Sequence, residues 1–216
     1  MAPLPIDVVS DVVCPWCYVG KRYLEKAIAL KPEIPVAVRF RPYLLNPWVP
    51  REGMSRVDYL TTKFGSVERY NANSERIIAV AAAAGLTYAP DKIKRQPNTI
   101  DCHRLIAWSA DPARMKQRLM DLYFAEGGDL TDIEVLVKAA SDCGLDAAEV
   151  RRRLATDEDV VRIEAEANSA KEAGIDGVPF FIFGNLLAAS GAQPPEHLAQ
   201  AIERATHEFA KQVAAE

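Results

Sequence analysis

Two cysteines separated by Pro15-Trp16, Cys14 and Cys17, are the side chains whose type and spacing could do chemistry in this sequence. A thiol becomes a nucleophile by losing its proton, and the unpaired N–H groups and dipole of a helix start favour the thiolate. Pro15 suits the first helical turn, where no N–H donor is needed, so Cys14 reads as the cap and Cys17 as one turn in. Sulfurs placed this way can face each other and close a disulfide. Cys14 could then attack a substrate disulfide and Cys17 resolve the mixed disulfide from beneath. Trp16 brings no charge, Asp11 would oppose a nearby thiolate, and Lys21 and Arg22 could compensate; a depressed pKa is expected for Cys14.

Zinc and plain burial compete with this reading. A structural zinc site needs four ligands, and Cys102, His103, Cys143, His197 and His207 form no second pair at finger-like spacing, so no metal is expected. Free cysteines are often inert core residues. That is the expectation for Cys102 and Cys143, and it is weaker for a pair at a strand-to-helix junction.

The elements that must position the pair can be traced outward from it. Residues 4–13 are apolar and β-branched, as in a strand, and residues 17–31 carry the apolar stripe Tyr18, Leu24, Ala27 and Ile28 of a helix. In VAVRFRPYLLN, Val36, Val38 and Phe40 alternate with Arg39 and Arg41, giving a second strand and a parallel β-α-β unit. From about residue 51 to 174 the periodicity is helical. Gly85 and Gly144 mark helix stops, and Thr131 with Glu134 reads as a capping box. Strand character returns in VPFFIFGNLLAAS, where Gly184-Asn185 suits a two-residue hairpin turn, and a helix follows from about Pro194. The fold class is therefore α/β, β-α-β then β-β-α, with residues 1–50 and 174–216 as one discontinuous domain and 51–173 as a helical insertion. Trp48, Trp108, Tyr43, Phe180 and Phe181 are expected mainly in the core.

The chain has 216 residues, 49% hydrophobic and 26% charged, with a formal net charge of -4. Such a balance gives no electrostatic footprint for nucleic acid or an anionic membrane. No signal-peptide pattern and no apolar run of spanning length is present, so the expected location is cytoplasmic.

Taken together, SDVVCPWCYVGKR, RPYLLNP at 41–47, PNTIDCHRL at 97–105, GIDGVPFFIF at 174–183 and SGAQP at 190–194 resemble the thioredoxin superfamily. The resemblance is to its DsbA-type, FrnE-like branch and the related kappa-class glutathione transferases and 2-hydroxychromene-2-carboxylate isomerases. It implies a thioredoxin-like fold, Cys14 as the attacking and Cys17 as the resolving cysteine, and Pro179 as a cis-proline beside them. With Pro15 and Trp16, the Val178 backbone would contact an extended substrate. Asn98 and His103 are carried over as residues near the cleft, although Asn98 or Thr99 also reads simply as a helix cap. Cys102 departs from the small residue that relatives usually carry there.

The resulting expectation is a thiol-disulfide oxidoreductase acting on a protein or small-molecule disulfide or thiol. It would hold no permanent cofactor, with glutathione a candidate co-substrate. Many of these relatives are dimers, so a homodimer is compatible with the resemblance. One alternative is a glutathione-dependent isomerase or transferase on the same scaffold, although those relatives usually carry serine at the position of Cys14. Another is a holdase whose helices form an apolar groove.

Overall fold

The structure, a computed structural model, describes residues 2–213. Strand β1 (Leu4–Ser10) is buried at every position except Pro5, which fits a central strand covered on both faces. It ends at Ser10 instead of running to Val13 because the chain turns there: the Cys14 amide donates to the Asp11 carbonyl at 3.3 Å. Helix α1 (Pro15–Ala29) begins two residues before the expected Cys17, with Pro15 in its first turn. It returns the chain to β2 (Val36–Pro42), which pairs parallel with β1 from Leu4↔Val36 to Ser10↔Pro42. Arg39 lies opposite Asp7 in that register and grips its carboxylate at 2.7 and 2.9 Å.

Strand β5 (Phe180–Phe183) pairs antiparallel with β1, and β6 (Leu187–Ser190) antiparallel with β5, giving the sheet order β2-β1-β5-β6. Gly184 and Asn185 both take positive φ, as a tight hairpin requires. The loop nevertheless has three residues, not two, because Phe183 pairs with Leu187 and leaves Leu186 outside the ladder. Helix α9 (Pro195–Val213) closes one face: Leu198 and Ile202 pack with Ile6, Val8, Leu24 and Phe181.

Between β2 and β5 the chain is mainly helical: α2 (Arg56–Phe64), α3 (Val67–Ala84), α4 (Ile100–Trp108), α5 (Pro112–Asp121), α6 (Ile133–Asp142), α7 (Ala147–Leu154) and α8 (Val160–Glu172). Two short strands, β3 (Met54–Ser55) and β4 (Arg95–Gln96), interrupt it and pair antiparallel with each other. Gly85 takes the left-handed conformation after α3, as a helix stop should. The expected cap at Thr131 is displaced by one residue. Asp132 takes that place and accepts from the Glu134 amide, while Thr131 is tied back to Asp129.

The core that holds the cysteines is built jointly with this helical block. Val12, Cys17, Tyr18, Leu105, Leu119 and Phe124 belong to one buried cluster. Arg104 is fully buried yet structural: it donates to Asp101 and to the carbonyls of Arg153, Thr156 and Glu158, fastening α4 to the chain before α8. Phe181 is buried and Trp48 is not; Trp48 is 45% exposed and stacks on Tyr59, so it is no core residue.

Candidate active site

Cys14 caps α1 and Cys17 follows one turn later, both buried and both free thiols. A hydrogen bond from the Cys17 thiol, with help from the Cys17 and Trp16 backbone, holds the Cys14 pKa below the ordinary cysteine value. Burial and the Asp11 carboxylate oppose that shift without reversing it. Burial pushes the Cys17 thiol well above its ordinary value. The two thiols therefore divide into one poised to ionise and one that holds its proton.

The Cys14 thiol reaches the Val178 carbonyl at 3.5 Å, and the Val178-Pro179 peptide bond is cis. Pro179 itself packs behind, on α1. A Cβ at Gly20 would stand 2.7 Å from the Pro179 ring, so only glycine lets the helix approach this closely.

In front of Cys14 lies a cleft of about 280 Å³. Cys14, Pro15, Trp16 and Val178 line it from the thioredoxin-like end pieces, and α2 and α3 supply Arg56, Tyr59, Lys63 and Tyr70. Among the described lining residues none is acidic. Among the described residues, the Arg56 side chain donates only to neutral oxygens, those of Gln96, Tyr70 and Tyr123, and its buried Nε has no hydrogen-bond partner. The Tyr70 hydroxyl in turn is hydrogen-bonded to that of Tyr88. Lys63 donates to Asn46 at 2.6 Å, and partial burial of its ammonium lowers its pKa.

Sequence reasoning placed the compensating charges at Lys21 and Arg22, but both pair with Glu25, and Lys21, itself buried, also donates to Gln117 on α5. Lys63 and Lys116 are the cations that the Cys14 charge acts on. Lys116 lies on α5, is only 1% exposed, and is pushed down to about 8 by burial. Nothing in PARMKQRLMD marks it as buried, since a lysine in a charged amphipathic helix normally faces solvent.

Asn98 is placed away from the cleft lining, and its side chain ties the start of α4: it donates to the Val49 carbonyl and accepts from the Ile100 amide. His103 lies beneath the site, with Nε2 facing Asp11 Oδ1 at 3.4 Å. Cys102 is fully buried, and burial raises its pKa well above the ordinary value; Cys143 is half-buried at the end of α6.

Several known proteins are similar to this chain. A probable DsbA oxidoreductase from Streptomyces coelicolor is 35% identical, with a TM-score of 0.86 over 95% of this chain and 91% of its own. The uncharacterized Bacillus subtilis protein YwbO is 28% identical over 192 residues, 87% of this chain and 90% of that protein. At 16% identity, where only the fold is comparable, the cytosolic disulfide reductase DsbM from Pseudomonas aeruginosa, solved with GSH, gives a TM-score of 0.62 over 97% of this chain and 99% of its own. A 2-hydroxychromene-2-carboxylate isomerase gives 0.67, also at 16% identity, over 98% of each chain. The model of the DSBA-like thioredoxin domain matches residues 5–203. The chain thus belongs to the DSBA-like thioredoxin domain family, enzymes of the thiol-oxidoreductase kind.

Proposed function

We propose that this protein is a thiol-disulfide oxidoreductase in which Cys14 attacks and Cys17 resolves. The observation that carries the reading is the split between the two thiols, one lowered at a helix cap and open to a cleft, the other raised and buried. The Cys14 thiolate attacks one sulfur of a substrate disulfide, forming a mixed disulfide and expelling the other sulfur as thiolate. Cys17 then loses its proton and attacks the Cys14 sulfur, and the second substrate thiolate leaves. The substrate gains two electrons and the enzyme holds the Cys14–Cys17 disulfide, to be reduced again by a thiol donor. A cytoplasmic setting, poor in stable disulfides, favours this reductive direction.

Substrates are disulfides or thiols of proteins or small molecules. The acid-free cleft with Arg56 and Lys63 favours a carboxylate-bearing thiol such as glutathione as co-substrate rather than a permanent cofactor. A Cys17→Ser protein treated with a substrate disulfide should accumulate a mixed disulfide at Cys14, read by mass spectrometry. Absence of that adduct, or full dithiol turnover by Cys14→Ser, rules the mechanism out. Turnover of an aromatic isomerisation substrate by Cys17→Ala would favour the glutathione-dependent isomerase instead.

A further inference from the structure

The resolving step needs something that the cleft does not offer. Cys17 must give up a proton while the mixed disulfide fills the cleft, and the thiol is buried in the joint core at 1% exposure. The surroundings on its inner side are charged. Cys17 lies against the Asp11 backbone amide, and among the charges acting on the buried Lys116 ammonium its own is the largest, ahead of that of Asp11. Lys116 has no carboxylate within ion-pair distance among the described residues, its only hydrogen bond being a long one, 3.5 Å, to the Ser10 carbonyl. Asp11 is fully buried: Oδ2 accepts from the Leu45 amide, and Oδ1 faces only His103 Nε2 at 3.4 Å.

His103 has a second neighbourhood. It lines a cavity of about 210 Å³ between β2, α4 and α8, which shares no residue with the substrate cleft. Arg39 and Ala107, both exposed, line the same cavity, so it reaches solvent. The charged groups facing it, Arg39 and Glu166, are already paired with Asp7 and Arg41. An imidazole can accept a proton on one ring nitrogen and release one from the other, which suits a side chain set between a buried carboxylate and a wet cavity.

Building on the assignment of Cys14 and Cys17, we infer that His103 is the outlet for the proton of the resolving step, passing it from the Asp11–Lys116 cluster to the cavity between β2, α4 and α8. The Cys17 S–H bond breaks and its proton enters the cluster. The Cys17 sulfur bonds to Cys14, the Cys14–substrate bond breaks with its electron pair on the substrate sulfur, and the proton leaves through His103. The substrate cleft can then stay closed throughout. His103 acts through Asp11 and is a positioning residue, not a nucleophile.

The test uses a bis(nitrothiobenzoate) disulfide in single turnover on the reduced full-length protein, in a Cys143→Ser background to silence the half-buried thiol. One coloured thiolate is released when Cys14 attacks and a second when Cys17 resolves. His103→Ala should leave the first phase unchanged and slow the second at least tenfold, and added imidazole should restore it by entering the enlarged cavity. Adding Ala107→Phe, an exposed change one helical turn away in the cavity wall, should suppress that rescue. An unchanged second phase, a slowed phase indifferent to imidazole, or rescue indifferent to Ala107→Phe each overturns the proposal. Should His103→Ala not fold, His103→Gln decides: a second phase at the parent rate overturns the outlet, and a tenfold slowing supports it. If the parent protein releases no first thiolate, or a first without a second, the roles of Cys14 and Cys17 fail, independently of His103.

Discussion

On the cleft side of the first turn of α1, Arg56 and Lys63 stand among tyrosines with no acid beside them. On the inner side, Lys116, Asp11 and His103 sit together in the core, cation and carboxylate within each other's field. Among the described residues no carboxylate lies in the cleft beside these cations, so a charge that develops there, the Cys14 thiolate or a substrate carboxylate, can answer them. The inner charges lie within one another's field, with Asp11 facing His103 at 3.4 Å, so what they can exchange is a proton. Positive charge without acid marks the side that binds, and balanced charge marks the side that handles protons.

The sharpest break of this comparison is at the thiols: Cys14→Ser should reduce disulfide turnover to background in a coupled reduction assay. Next in size is the inner side. Asp11→Ala leaves the Leu45 amide without its acceptor and removes the carboxylate charge that offsets the buried Lys116 ammonium, and should cost about 3–5 kcal/mol in urea unfolding. An equal loss from Lys63→Ala on the cleft side would show that the two sides do not differ. Gly20→Ala forces α1 off Pro179 and should cost about 1–3 kcal/mol while lowering turnover.

Titration separates the two thiols. The folded protein ionises Cys14 below its ordinary value of 9.0 while the unfolded chain still holds that proton. Reduced protein should therefore gain stability as pH rises between the folded Cys14 pKa and 9.0, by at most about 1.4 kcal/mol per pH unit. Above 9.0 Cys17 contributes the opposite slope, because the unfolded chain loses its proton and the folded protein keeps it; Cys102 adds to this fall, and Lys116, held down to about 8, opposes it up to its ordinary 10.5. Relative to the parent, unfolding curves of Cys14→Ala should rise less steeply, and those of Cys17→Ala should fall less steeply, with Lys116 and Cys102 supplying what remains of each limb. Smallest of all, Lys63→Gln should weaken reaction with an anionic disulfide less than about tenfold, in keeping with a partly solvated charge, and slow a neutral disulfide by less than that.

Much of this arrangement could be read from residue order. The β-branched run before Cys14, Pro15 after it and the Gly184-Asn185 turn are local signals, in which each residue type constrains its own backbone. The chemistry on either side of the thiols is not local. Arg56 and Lys116 look like ordinary solvated charges in their own helices, and their burial follows from which distant segments fold over them. Asp11 could be seen as a charge near Cys14, but its contact with His103 joins residues from β1's end and α4. Asn98 shows the opposite limit: a family likeness pointed to the cleft, while its local role as tether of α4 was legible from helix capping alone.

The buried cluster shared by α1 and the helices between β2 and β5 sets a limit on engineering. A minimal catalyst made by splicing β2 to β5 would keep both cysteines and Pro179, yet strip the floor from beneath α1 and expose Val12, Cys17 and Tyr18. The helical block is thus the foundation on which the redox turn stands, and grafting CPWC onto a smaller scaffold would transplant the reagent without its setting.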